Sequence, residues 1–137
     1  MHPYVKNIIA VLIGWLVGAG VNMGLVMLGP ELIPPPEGMD MTTMEGIKEA
    51  MPLLKPKHFI FPFLAHGLGT LVGAFFASRL AATFNFGAAM LIGIFFLLGG
   101  LSMSMNLPQP TWFTAADLCL AYIPMAWIGY RLSGKAQ

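Results

Sequence analysis

The sequence predicts an all-α fold, an integral membrane four-helix bundle, and three observations carry that prediction. Of 137 residues, 57% are hydrophobic and only 9% are charged. A soluble domain carries about 25% charged residues, so this chain lacks the charge to cover a soluble surface. Four apolar stretches are each long enough to cross roughly 30 Å of hydrocarbon, which takes about 20 helical residues. Short polar or proline-containing links separate three of the four, and short links force antiparallel neighbours. The length allows a single transmembrane domain, residues 1–137.

The first stretch runs from about Val5 to Gly29. Lys6, an apolar core and the trio Gly18, Ala19 and Gly20 resemble a signal peptide. The apolar run continues to Leu28, so a retained helix is expected. The loop from Pro30 to Lys57 follows and opens "PELIPPPEG", read as non-helical because successive prolines lack donors and fix φ. Within it, Thr42 followed by Glu45 fits a capping box, with Asp40 and Glu45 favouring a helix N-terminus. A short interfacial helix is therefore expected from about Thr43 to Met51, stopped near Pro52, with Met44, Ile47 and Met51 on its apolar face. It is placed on the membrane surface or as a cap on the bundle. The second stretch covers about His58 to Ala82, the third about Phe86 to Met105 and the fourth about Trp112 to Leu132. Pro124 removes a donor from the fourth and frees the carbonyl of Leu120, which favours a kink.

Lipid tails are as apolar as leucine, so helices associate in a membrane where small residues let backbones approach. The second stretch carries Ala65, Gly69, Gly73, Ala77 and Ala81 at steps of four. The first offers Gly14 and Gly18 on one face, with Gly20 and Gly24 on another. The third offers Ala89 and Gly93, then Gly100 and Ser104 farther along a similar face. Two small faces on the first helix predict a homo-oligomer or membership of a larger membrane complex.

Orientation follows from lysine and arginine. Lys6, Arg79, Arg131 and Lys135 fall on one side, against Lys48, Lys55 and Lys57 on the other. Both termini are therefore expected in the cytoplasm of a bacterium, with the long loop outside the inner membrane. Trp112 at one end of the fourth stretch, and Trp127 and Tyr130 towards the other, suit interfacial anchoring among membrane lipids. Net charge is +1, which gives no reason to expect nucleic acid as a partner. Cys119 is the sole cysteine, so an intrachain disulfide, a CxxC pair and a cysteine zinc site are excluded.

Asn22, His66 and Asp117 are polar residues inside three different spans. At 1.5 Å per residue they lie roughly 10, 12 and 9 Å from helix ends that share one side. Ser104 belongs to that side too. His66 sits beside the small ladder, near Gly69, Thr70 and Gly73, and so faces protein. A hydrogen bond from His66 to Asp117 is expected. Intramembrane ionisable residues are candidates for function. The competing reading is plain interhelical hydrogen bonding, worth on average about 0.6 kcal/mol. Asp117 also admits a reading in which it only meets water near the headgroups. Met39, Met41, Met44, Met103 and Met105 gather on the same side, and soft thioethers can hold Cu(I), with His58, His66 and Cys119 as further donors. The competing reading is methionine as a flexible apolar filler. No HExxH, phosphate loop or paired-carboxylate motif occurs, so no catalytic residue and no cofactor is assigned.

"PPPEG" followed by "PKHFIFPFLAHGLGTLVGA" resembles a group of small bacterial four-helix inner-membrane proteins, over roughly residues 18 to 82. The resemblance implies the fold and location but no activity. Quinone-linked thiol oxidoreductases need a CxxC pair, small multidrug exporters a glutamate in the first helix, and glutathione-using membrane enzymes basic residues within the bundle. This chain has none of these. The leading expectation is a non-enzymatic polytopic membrane protein that self-associates or serves as an accessory subunit. Second comes a small transporter or channel component with a polar intramembrane pocket. A copper-handling protein and an enzyme acting on a lipid or quinone follow.

Overall fold

The computed structural model describes residues 1–136 and is all-helical. Helix α1 spans Pro3–Leu32, α2 Met44–Ala50, α3 Ile60–Leu80, α4 Asn85–Asn106, α5 Thr111–Leu120 and α6 Ile123–Leu132. A 3-10 turn at Pro56–Phe59 leads into α3, and another at Met51–Leu53 follows α2. Four helical stretches are long and apolar enough to cross a membrane: Pro3–Leu32, Pro56–Leu80, Asn85–Asn106 and Thr111–Leu132.

Three boundaries differ from the sequence expectation. Helix α1 continues through Pro30 to Leu32, where Ile33 N–H closes it on the Gly29 carbonyl. One proline removes one donor; only the later run Pro34–Pro36 stops the helix. The cap of α2 is Thr43, not Thr42. Its hydroxyl accepts from Gly46 N–H at 3.0 Å, while Thr42 is bound to Asp40 in a separate turn. Glu45 thus falls in the first turn, where a carboxylate opposes the helix dipole favourably, but it does not complete a capping box.

The largest difference lies in the fourth stretch. It is two ten-residue helices, α5 and α6, separated at Ala121 and Tyr122. Tyr122 has φ −115° and ψ −79°, outside the helical continuation. Pro124 then sits in the first turn of α6, where its missing N–H costs little. Proline here restarts a helix rather than bending one.

Helices α1 and α3 cross with their backbones in close approach. A methyl built on Gly14 would lie 2.5 Å from the Gly73 carbonyl oxygen, and one on Gly18 2.6 Å from that of Gly69. Ala65, Gly69, Gly73, Ala77 and Ala81 are all buried. A second small face of α3, made by Gly67, Thr70, Ala74 and Ser78, is buried as well. Gly129 of α6 lies on this face against Ala74 and the Leu71 backbone, and Gly67 faces Met125. Helix α4 completes the bundle, with Ile92 against Gly73 and Gly93 against Ala126.

Polar side chains join the spans where both termini lie. Asn7 accepts from the backbone N–H groups of Ala82 and Thr83 at 2.8 and 3.2 Å and donates to the Thr83 hydroxyl at 3.0 Å. Asn85 donates to the Ser78 and Ala81 carbonyls, satisfying acceptors at the end of α3. The Ser133 hydroxyl donates to the Tyr130 carbonyl, so the buried Ser78 hydroxyl, 2.9 Å away, is the donor of that pair. Arg79 donates to the Ser133 carbonyl at 3.2 Å. The opposite end, where the long loop lies, has a different core: Met51, Phe59, Leu107 and Phe113, with Ile47, Leu54 and Phe63 against them. Helix α2 contributes to it, and so caps the bundle.

Candidate functional site

Under the long loop the bundle holds a cavity of about 180 Å³. Its wall is apolar for the most part: Val26 and Pro30 of α1, Ile33 and Pro35 of the loop, Ile47 and Met51 of the cap, Phe59, Phe61 and Pro62 at the start of the second span, and Met103, Leu107 and Phe113. Gly29 also lines it, and a methyl there would press on the Phe61 side chain, whose Cβ would lie 2.8 Å away. Four lining residues are polar: Lys57, His58, Gln109 and His66. His58 and His66 stand eight positions apart, which is about 12 Å along a helix. Lys57 and His58 also border the exterior groove beside Pro34–Glu37, so they mark the outer end of the cavity and His66 the inner end.

The outer end is tied by His58. Its Nδ1 accepts from Lys55 N–H at 2.8 Å, and its Nε2 lies 3.0 Å from the Pro34 carbonyl oxygen. A carbonyl can only accept, so a neutral ring with its proton on Nε2 satisfies both contacts. This fastens the proline run of the loop to the head of the second span. The neighbouring "MDMTT" turn is held separately. Its Asp40 carboxyl lies below the usual carboxylate range because the Thr42 hydroxyl and then the Thr42 N–H donate to it.

The inner end is a three-residue chain. His66 Nδ1 lies 2.8 Å from Asp117 Oδ1, and the Tyr122 hydroxyl donates to Asp117 Oδ2 at 3.0 Å. The imidazole and phenol rings stack, with centroids 5.7 Å apart. Asp117 has 4% of its side chain exposed and His66 20%, so the carboxyl is enclosed and does not act through bulk water at the head of α5. Both carboxyl oxygens are thus engaged, as a buried acid requires. Thr70 turns its hydroxyl back on the His66 carbonyl at 2.7 Å.

Of the polar residues singled out in the sequence, the structure brings together His66 and Asp117. Asn22 is not joined to them. It packs beside Gly69, and its amide has no side-chain hydrogen bond among the described residues. Matched depth does not set the direction in which a residue faces around its helix. Ser104 bonds the Leu101 carbonyl of its own helix at 2.8 Å and takes no part in the cluster. Met41 and Met103 share the cavity wall, but Met44 and Met105 are exposed, the latter at 79%. Both nitrogens of His58 are already used, and Cys119 is exposed. Among the described residues no group of three or more His, Cys, Asp or Glu could hold a metal.

Tyr122 is the member that sequence reasoning misses. It lies five residues after Asp117, about 140° around a continuous helix, and would face elsewhere. The break at Ala121 turns it back. Gly100 supplies the room, since a methyl there would collide with the Tyr122 hydroxyl. Pro124 and Gly100 are the signals that could have pointed to it.

No protein family, curated protein or solved structure matches this chain.

Proposed function

We propose that the chain is a multi-pass protein of the bacterial inner membrane, with both termini cytoplasmic, that binds a small, largely apolar molecule in its loop-covered cavity. It is a ligand-binding component of a transport or other membrane assembly. The observation that carries this reading is the cavity itself. Its walls are apolar and its inner end holds an imidazole backed by a buried carboxylate. Pockets of this make-up, apolar with a few converging polar groups, are where small molecules bind. Placement of an ionisable pair inside a span supports the same reading.

Binding is tested with naphthalene as the probe. A ligand that binds only the folded state raises the melting temperature by mass action. Purified protein in detergent should show a saturable rise with naphthalene, and Ile47→Trp, which fills the cavity, should not. A rise of equal size in both proteins would overturn the reading. Orientation is tested by reporter fusions in the loop and at the C-terminus; a C-terminus outside the cytoplasm would reverse it.

Self-association is a second reading, supported by the outer face of α1. A methyl built on Gly20 or Gly24 meets no atom within 4 Å, so this small-residue face is open. If it is a contact between copies, Gly20→Leu with Gly24→Leu reduces the assembly size in detergent. An unchanged size excludes that face.

A further inference from the structure

The cavity's inner end has a direction built into it. The Asp117 carboxyl accepts the Tyr122 hydroxyl on one oxygen and faces His66 Nδ1 on the other. With the carboxyl ionised it only accepts, and the proton between them is then on Nδ1. In a neutral imidazole the other nitrogen, Nε2, then carries a lone pair and acts as an acceptor. Nε2 has no hydrogen-bond partner among the described residues, and it is not a sealed, unsatisfied atom. His66 lines the cavity with Nδ1 turned away into the bundle. Nε2 is on the far edge of the ring.

We infer that the cavity takes a molecule with an apolar ring body and a hydroxyl group, and that the hydroxyl donates to His66 Nε2. The inference rests on the reading of the cavity as a binding site and adds the chemical class of the occupant. Asp117 and Tyr122 are positioning residues: they fix the tautomer and the plane of the ring, as second-layer partners do for a histidine ligand. The ring stack of Tyr122 on His66 holds the imidazole from one face. An occupant that offers only an acceptor finds a lone pair facing its own lone pair. An occupant with no polar group leaves Nε2 dry and unsatisfied, which is a cost a hydroxyl removes. The competing orientation, with the polar group of the ligand at the outer end, would use Lys57 or Gln109 instead.

Naphthalene, 1-naphthol and 1-methoxynaphthalene share one ring body and differ in hydrogen bonding: none, donor and acceptor, acceptor only. Affinities are measured by melting-temperature titration of the full chain in detergent and corrected for partition into the micelle. The expected result is that 1-naphthol binds on the order of fivefold tighter than 1-methoxynaphthalene, the worth of one hydrogen bond. In a double variant, His66→Leu with Asp117→Asn, that preference should vanish while naphthalene still binds. If none of the three compounds binds wild-type protein, the cavity reading fails and the inference with it. If 1-naphthol and 1-methoxynaphthalene bind equally well, the cavity reading stands and the inference is overturned. Persistence of the preference in the double variant, or its loss in Lys57→Ala, likewise overturns the role of His66. Should the double variant not fold, nitrogen NMR of the wild-type imidazole decides: 1-naphthol must shift the Nε2 resonance more than Nδ1, and an unchanged Nε2 resonance sinks the proposal.

Discussion

The two ends of the bundle are held by different means. From the middle of the bundle towards the end that carries both termini, backbones touch through Gly14, Gly18, Gly69 and Gly73, and side-chain amides and hydroxyls fasten the link between α3 and α4 and the end of α6. At the loop end, large side chains meet one another around a cavity, and two polar tethers, His58 to Pro34 and His66 to Asp117, bracket it. Dispersion contacts grow with close approach, so the first arrangement packs tightly. The second leaves space between the two tethers. One bundle thus has one region closed and another hollow without separate domains.

Substitutions at the closed end should break the contrast most sharply. Gly73→Leu or Gly14→Leu forces backbones apart and is expected to cost about 3 kcal/mol or more. Unfolding in mixed micelles measures it, and wild-type stability in both variants would mean that the crossing is not close. At the receptive end the inner tether comes next. His66→Ala and Asp117→Asn should each destabilise by about 1–3 kcal/mol, since either change leaves a buried partner unsatisfied. The double variant should cost less than the sum; additivity within about 0.3–0.5 kcal/mol would show that the residues act independently.

Smaller effects sharpen the comparison. Asn7→Ala removes the acceptor for two backbone donors and is expected to cost about 1 kcal/mol in global stability. His58→Phe should change global stability less, yet release the loop. Amide exchange in the segment between Ile33 and Asp40 should quicken while the core of α3 stays protected. Equal acceleration in both places would deny the loop its separate tether. The smallest effect concerns Asp40. Its folded carboxyl is held low by Thr42, so its contribution is present above the ordinary aspartate range and is lost as pH falls through the depressed folded value. The Thr42 amide resonance should therefore hold steady while ordinary carboxylates protonate, then move at still lower pH. Movement in step with an exposed aspartate would refute this.

Much of the closed end could be read in the sequence, because small residues at steps of four are a direct record of backbone approach. The second face of α3 escaped, since Thr70 and Ser78 interrupt the pattern with hydroxyls that look polar but are small and bonded. The receptive end was only partly legible. Hydropathy places His66 and Asp117 inside spans, and spacing sets their depth. Asn22 continues the step of four begun by Gly14 and Gly18, and so packs on Gly69 at the crossing of α1 and α3 instead of joining His66. Thr42 and Thr43 are both competent caps, and the choice between them turned on Asp40 taking one of them. Tyr122 was hidden because a break in a helix changes which residues share a face.

That break also bears on the order in which the chain is made. A backbone interruption in hydrocarbon leaves polar groups that lipid cannot satisfy, and it is tolerated only when protein surrounds it. Here Ala121 and Tyr122 are 0% and 2% exposed, enclosed by the other spans. The fourth stretch is also the least apolar, with a mean hydropathy of 1.2 against 2.1, 1.7 and 2.1 for the three before it. It is the span least able to stand alone in a bilayer, and it leaves the ribosome after the other three. Gly67, Ala74, Gly93 and Gly100 of the earlier spans form the surface on which the broken helix settles. The polar inner end of the cavity is therefore completed only when the fourth stretch joins the other three.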